Sequence, residues 1–177
     1  MIVFIADNFS KKIKFVAYYQ IFGGSVGILL TLWVLVNSEG GGFLLLLGAL
    51  GLYTYSMYCG KLLLDGRIHE GLRLSTINQT IQTINFALSG YAFKFIAGLN
   101  LTLGLDFTNN LNIIYKISLS QFQINLNSQR QLVNVGVNIT ALTLIIIIGN
   151  LIVEYQKESN KIQTSSDSGP DLSIHNT

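Results

Sequence analysis

The chain has 177 residues, of which 50% are hydrophobic and only 11% are charged, and its mean hydropathy is +0.48. A soluble domain carries about 25% charged residues, so a water-soluble globular domain is disfavoured. The net charge is +2 and no basic run exceeds Lys11-Lys12, which argues against nucleic-acid binding because that requires a basic stripe facing the phosphates. The single cysteine, Cys59, excludes an intramolecular disulfide and a cysteine-based metal site.

Two uncharged segments near the N-terminus predict a helical hairpin that crosses a membrane. Residues 15–36 carry no charge, and a helix of this length covers a hydrocarbon core of ~30 Å. Residues 40–60 form a second such segment, and the short link between the two makes them antiparallel neighbours. The basic residues before the first segment precede no small-residue cleavage site, so we expect an uncleaved anchor.

Small residues four positions apart occur on both predicted helices. Gly23 and Gly27 lie on the first helix, and Ser56 and Gly60 lie on the second. Helices in lipid associate by close packing at such positions, so these four residues are predicted to pack helix against helix. The alternative is that glycine is simply frequent in membrane helices.

Charged residues concentrate in the segment 61–73, which is predicted to be a solvent-facing connection and a contact surface for a protein partner or for lipid headgroups. Its acid–base residues are Asp65, Arg67, His69, Glu70 and Arg73. The pair His69-Glu70 begins like a zinc-protease helix, but the next ligand position holds Arg73, which does not bind zinc. The sequence therefore predicts no catalytic residue, no metal site and no cofactor.

The segment 74–88 is uncharged but rich in amides, which are costly in lipid when they lack partners. Its apolar residues recur every three or four positions, from Leu74 to Leu88, and so share one helical face. We predict an amphipathic helix that lies on the membrane or against other subunits. The candidate polar lining of a pore consists of Asn78, Gln82, Asn85, Asn134 and Asn138.

From Tyr91 to Phe107 every odd position is apolar, which predicts a β-strand. The alternation resumes at Ile113 and slips by one residue near Ser120-Gln121, where we predict a β-bulge. With a loop at 108–112, Leu103 is expected opposite Ile117, and Asp106 is expected diagonal to Lys116 as a cross-strand ion pair. A bend is expected at Gly98 or Gly104, because a straight strand of this length is unusual.

The last apolar run, residues 131–153, predicts a third membrane span. The polar, serine-rich tail at 154–177 is predicted to be disordered. The expected fold is thus a membrane α+β fold of three transmembrane helices, an amphipathic helix and a long bulged β-hairpin. We expect four parts. Residues 1–73 hold an N-terminal surface segment, the transmembrane helical hairpin and the charged loop, and residues 74–130 hold the amphipathic helix and the β-hairpin. Residues 131–153 are the last transmembrane helix, and residues 154–177 are the disordered tail.

The distribution of Lys and Arg predicts the orientation in a bacterial inner or plasma membrane. Three spans place nine of these residues on the N-terminal side, with the hairpin, and two on the other side. If residues 74–90 also crossed, the split would be eight to three. Both versions put the N-terminus in the cytoplasm, and the amide content of 74–90 favours three spans.

Three functions compete on this sequence. We expect a non-catalytic membrane protein that forms homo-oligomers in contact with lipid, with a channel-forming subunit as one version. The alternative is an accessory or scaffold subunit that docks a protein partner through residues 61–73 and the hairpin. The least favoured is a lipid-modifying enzyme acting through His69 and Asp65.

Overall fold

The computed structural model describes residues 7–37, 42–125 and 133–167. Three helices are followed by four strands and then by a fourth helix, which gives a mixed α+β fold with one antiparallel sheet. The helices are α1 (Asp7–Asn37), α2 (Phe43–Leu64), α3 (Ile68–Thr83) and α4 (Ile139–Asp167). The strands are β1 (Ile84–Leu88), β2 (Tyr91–Asp106), β3 (Asn112–Asn125) and β4 (Val133–Asn138).

Three of the helices contain a segment that is long and apolar enough to cross a membrane: Asn8–Asn37, Phe43–Leu64 and Ile139–Asn160. The predicted antiparallel pairing of α1 with α2 is present. Helix α1 begins earlier than expected, so the part of the predicted surface segment from Asp7 onwards is helical. The physical reason is that Phe9 and Ile13 are buried with Val16 in one apolar cluster.

The region predicted as one amphipathic helix is two elements. Helix α3 ends at Thr83, and β1 then pairs antiparallel with the start of β2, with Leu88 opposite Tyr91. The connecting Ser89 and Gly90 have positive φ values of 46° and 94°, the geometry of a two-residue hairpin turn. A helical prediction through Leu88 is therefore wrong, because Ser89-Gly90 favours a strand-to-strand turn at this position.

The sheet closes on itself around a bent strand. Strand β1 pairs with the first residues of β2 and, on its other edge, with β4. Strand β4 in turn pairs with the last residues of β2, from Thr102 to Asp106. Strand β3 pairs along nearly the whole of β2 and, within the described residues, with no other strand. The predicted single hairpin is thus part of a four-stranded sheet.

The predicted register of the long hairpin is wrong by two residues. Leu103 lies opposite Tyr115, not Ile117, because the loop spans residues 107–111 and β3 begins at Asn112. The bulge lies at the predicted level, but its extra residue is in β2, where Ala97 and Gly98 occupy the gap between the pairs Ile96–Gln121 and Leu99–Leu119. Gly98 has a φ of 110°, a conformation that side-chain-bearing residues rarely adopt, so the predicted bend falls there.

The expected ion pair between Asp106 and Lys116 is also wrong. Asp106 lies opposite Asn112, whereas Lys116 lies opposite Thr102, four residues further along the strand. The Asp106 carboxylate instead accepts a hydrogen bond of 2.8 Å from the backbone N–H of Thr108, and hydrogen bonding to the side chain and to the backbone of Thr108 holds the pKa of Asp106 below its usual value.

The last predicted span is also corrected. Residues 133–138 form β4, and α4 begins only at Ile139. The alternating Val-Asn-Val-Gly-Val-Asn fits a strand, but no charge separates it from the apolar helix that follows. Helix α4 then continues to Asp167, so the predicted disorder of the tail is wrong up to that residue, and the rest of the tail lies outside the described residues.

Charged residues collect at one end of the helices. Lys12 on α1 and Glu154 on α4 approach within 3.9 Å, and the ring of His69 on α3 lies 6.4 Å from the ring of Tyr155 on α4. The start of α1, the α2–α3 connection and the far part of α4 therefore share this charged end.

The sheet lies towards the opposite end. Phe95 and Ala97 pack in a cluster with Ala49 and Tyr53 near the start of α2 and with Ile28 of α1. Helix α3 therefore leads away from the charged end, and α4 returns to it. The expectation of a hairpin beside the N-terminus and a tail opposite it is wrong, because the amides of α3 find partners among the helices and α3 joins the bundle.

Candidate functional site

A network of amide and hydroxyl groups joins α1, α2 and α3 in the interior. Gln20 is fully buried, and its Nε2 donates to Ser75 Oγ over 2.8 Å. Asn78 Nδ2 donates to Gln20 Oε1 over 3.0 Å and lies 3.1 Å from Ser56 Oγ. The Ser56 hydroxyl donates to the backbone carbonyl of Gln20 over 3.3 Å. Polar groups of three helices thus satisfy one another away from solvent.

Further along α3 the interior polar atoms have fewer partners. Gln82 accepts a hydrogen bond of 2.8 Å from the backbone N–H of Ala97 in the bulge, but its Nε2 has no partner. The amides of Gln79 and Asn85 have none at either atom, and Asn78 Oδ1 also lacks one. These unpaired atoms form a row from the helix network to the sheet. Such groups are costly when they are buried without a hydrogen-bond partner.

The buried face of α3 is its amide face. The amide residues Asn78, Gln79 and Gln82 are at most 1% exposed, whereas Ile77 is 44% exposed. The sheet shows the same arrangement after the bulge, where Asn100 and Thr102 are buried and the neighbouring leucines are exposed. Polar side chains point inward and apolar side chains point outward, as suits an apolar surrounding.

The apolar outer face of the sheet is continuous across three strands. It is formed by side chains that are each at least 37% exposed and that lie opposite one another in the register. These residues are Leu99, Leu101, Leu103, Leu105, Ile113, Tyr115, Ile117, Leu119, Val135 and Val137. We call this set the outer sheet face. Before the bulge, by contrast, Phe95 is fully buried against the helices.

The three glycines predicted to pack helices lie at close contacts, with one change of partner, and the fourth predicted residue, Ser56, bonds to the Gln20 carbonyl of α1. A Cβ at Gly27 would overlap the ring of Tyr53 on α2, and a Cβ at Gly60 would lie 2.5 Å from the carbonyl oxygen of Ala17 on α1. A Cβ at Gly23 would overlap the backbone of Ala97 and Gly98. Gly23 therefore contacts the sheet, not α2.

The predicted contact segment 61–73 lies partly in α2 and partly in α3. Arg67 and Glu70 form an exposed salt bridge, and Asp65 caps α2 with its backbone N–H. His69 and Arg73 border a groove of about 330 Å³ between α3 and α4, lined mainly by apolar side chains. Among the described residues, no three His, Cys, Asp or Glu side chains are grouped to hold a metal ion.

Two of the three asparagines of the predicted last span, Asn134 and Asn138, lie in β4 and not in a helix. Asn138 is buried, and its Oδ1 accepts a hydrogen bond of 3.0 Å from the backbone N–H of Ala141 at the start of α4. Asn134 lines a cavity inside the sheet together with Asn85 and Lys116. Of the candidate polar-lining residues, Asn78, Gln82 and Asn85 lie in the row of buried amides. Asn134 lines the sheet cavity together with Asn85.

The central residue of the network, Gln20, was not among the predicted site residues, nor was Ser75. The available signal was that Gln20 is the only amide in the uncharged segment 15–36. An amide in such a segment is expected to bond across to a neighbouring helix, and here its partners are on α3. Comparison with protein-family models, with curated protein sequences and with solved structures finds no match for this chain.

Proposed function

We propose that this chain is an integral membrane protein that self-associates through its sheet. The membrane setting is supported by three apolar helices and by the inward orientation of amides throughout the interior. The charged end carries the lysines of α1, the basic residues of 61–73 and Lys157 of α4, so the positive-inside rule puts this end in the cytoplasm.

The observation that carries self-association is the outer sheet face beside an unpaired strand edge. The bulge packs at Gly23, near the middle of α1, so the outer sheet face begins at the depth of the spans. Strand β3 pairs only with β2 among the described strands. An open edge in hydrocarbon leaves backbone groups unsatisfied at several kcal/mol each. In water the same edge and face promote association.

A second copy of the chain can pair with the open edge of β3 and can extend the apolar outer sheet face. Two β3 strands related by a two-fold axis pair antiparallel, so each supplies the other's missing hydrogen bonds. The outer sheet faces of the two copies then form one continuous apolar surface. This arrangement uses one strand, without any rearrangement of the helices.

Cysteine cross-linking in membranes tests this interface. In a Cys59→Ser background, single cysteines at Ile113, Tyr115, Ile117 and Leu119 are expected to give dimers with a short bis-maleimide, most strongly at the position nearest the axis, because paired strands bring Cβ atoms within ~5 Å. Leu29→Cys is the matched control, since Leu29 is 67% exposed and lies on α1, not on the edge of β3.

Efficient dimer formation along β3 with little at Leu29 supports the interface. Equal cross-linking at all positions, or a monomer by mass measurement in lipid nanodiscs, contradicts it. The alternative accessory role predicts instead that adducts from Lys61 contain a different protein, and that β3 cysteines give no homodimer.

A channel is the second candidate, and the unpaired amide row favours it. Because Asn78, Gln82 and Asn85 are buried within one chain, a path lined by them lies inside each subunit and not between subunits. The relevant measurement is conductance of the purified protein in planar bilayers, with Gln82→Leu expected to reduce it.

A further inference from the structure

The sheet borders a partly open cavity, lined by polar and apolar side chains, that neither self-association nor the helix network explains. It measures about 230 Å³ and lies between β1, β4 and the two ends of β2, with β3 as its outer wall. This volume is below the ~300–1,000 Å³ typical of sites for drug-sized molecules. A nucleotide is therefore too large, whereas a small ion or a single headgroup fits.

Its charge is entirely positive among the described residues. Lys94 and Lys116 both line it, no acidic side chain does, and neither lysine forms a salt bridge within the described part of the chain. Burial and the nearby Lys116 lower the pKa of Lys94 below its usual value. Two like charges brought together without a counter-charge are unfavourable unless an anion is present.

A second observation points to a ligand independently of the lysines. Asn85 lines the cavity and is only 6% exposed, yet neither atom of its amide has a hydrogen-bond partner among the described residues. Leaving such a buried amide unpaired costs free energy. Asn134 of β4 and Gln123 of β3 add further amide groups to the lining, so amide and ammonium groups border one small space.

We propose that this cavity binds a phosphate-type oxyanion between Lys94 and Lys116, with the Asn85 amide as a donor. Lysine ammonium groups bind phosphate as point charges, and charge-assisted hydrogen bonds are the stronger class. The phosphate is carried either by a free small molecule or by the headgroup of an anionic lipid. Both sources present negatively charged, non-bridging oxygens on a tetrahedral phosphorus.

The free-phosphate arm uses the full-length protein in nanodiscs of phosphatidylcholine alone. Equilibrium dialysis with labelled inorganic phosphate is expected to show saturable binding. Lys94→Gln and Asn85→Leu are each expected to weaken it at least about tenfold, the loss of one hydrogen bond to a charged group. Lys14→Gln is the control, because Lys14 is exposed on α1 at the charged end, away from the sheet.

The lipid arm uses nanodiscs that contain phosphatidylglycerol and no free phosphate. If the headgroup is the ligand, native mass spectrometry after extraction is expected to show one retained phosphatidylglycerol per chain, lost in Lys94→Gln and kept in Lys14→Gln. Lys94-dependent binding in either arm supports the site and identifies the source. Binding in neither arm, or binding that Lys94→Gln and Lys14→Gln weaken equally, overturns it.

Thermal melting of each variant separates a binding role from a structural one. Without anion, Lys94→Gln removes a half-buried repelled charge and Asn85→Leu removes an unpaired amide, so neither is expected to lower the melting temperature. If both variants lose binding only together with a large fall in melting temperature, the residues support the fold and the proposed site is wrong.

Discussion

Replacing Gly23 by alanine is expected to lower the free energy of unfolding by at least about 3 kcal/mol, the upper part of the range for overpacking. The added methyl would overlap the backbone of Ala97 and Gly98, and backbone does not move aside as a flexible side chain does. The contact also positions Ser120, whose hydroxyl donates to the Gly23 carbonyl over 2.9 Å and accepts from the Gly98 N–H over 2.9 Å. Separating α1 from the bulge breaks this bridge.

Gly51→Ala on α2 is the matched control. A Cβ at Gly51 meets no atom within 4 Å, so the change is expected to be neutral or to stabilise the helix by up to ~1 kcal/mol. The measurement is unfolding of the purified protein in mixed micelles with increasing SDS. Equal stability of the two variants would contradict the close contact between α1 and the sheet.

Replacing Gln20 by leucine is the second change with a large expected effect. It removes the partner of Ser75 and one partner of Asn78, and each buried polar group left unpaired costs about 1–3 kcal/mol. We expect a loss of about 2–4 kcal/mol by the same SDS titration, since the side chains of Ser75 and Asn78 are both fully buried.

The combined variant Gln20→Leu, Ser75→Ala and Asn78→Leu distinguishes pairing from packing. Replacing all partners by apolar groups can be nearly neutral, so the triple variant is expected to recover most of the stability lost in Gln20→Leu. A triple variant that is less stable than the single one would show that shape, not hydrogen bonding, makes Gln20 important.

The helices and the two long strands, β2 and β3, were predictable because their signals are local. A long uncharged run and a two-residue alternation act over neighbouring residues, which is how 15–36, 40–60 and the strand from Tyr91 were found. The hairpin register was not predictable in the same way, since a shift of two residues keeps every side chain on its face. The alternation that placed Leu103 opposite Ile117 fits Tyr115 equally well.

The sequence pattern also did not determine which face of α3 is buried. The spacing of Leu74, Ile77 and Ile81 defines an apolar face on α3 and, opposite it, an amide face, but it does not say which of the two faces the interior. In water the apolar side is buried, whereas in an apolar surrounding the amide side is. Only the partners on α1 and α2, above all Gln20 and Ser56, decide that the amides of α3 turn inward.

Strand β4 was missed for a third reason. The apolar run at 131–153 has the length of a span and no internal charge, so length alone assigned it to one helix. The strand depends on pairing with β1 and β2, contacts distant in sequence that periodicity does not reveal. The sheet cavity was missed for the same reason, because Asn134 and Asn85 line one cavity only when β4 is paired in the sheet.

We propose above all that the chain is embedded in lipid. In this arrangement the start of α1 and the far part of α4 lie on one side of the membrane, and the sheet lies towards the other side. Single cysteines in a Cys59→Ser background, probed with a membrane-impermeant maleimide on intact cells and on inverted vesicles, test it most directly. We expect Lys14→Cys and Lys157→Cys to react only in inverted vesicles, and Asn110→Cys, in the exposed loop before β3, to react only on intact cells. Reaction of Lys14→Cys and Lys157→Cys from opposite sides, or of Asn110→Cys from the same side as both, would contradict the account.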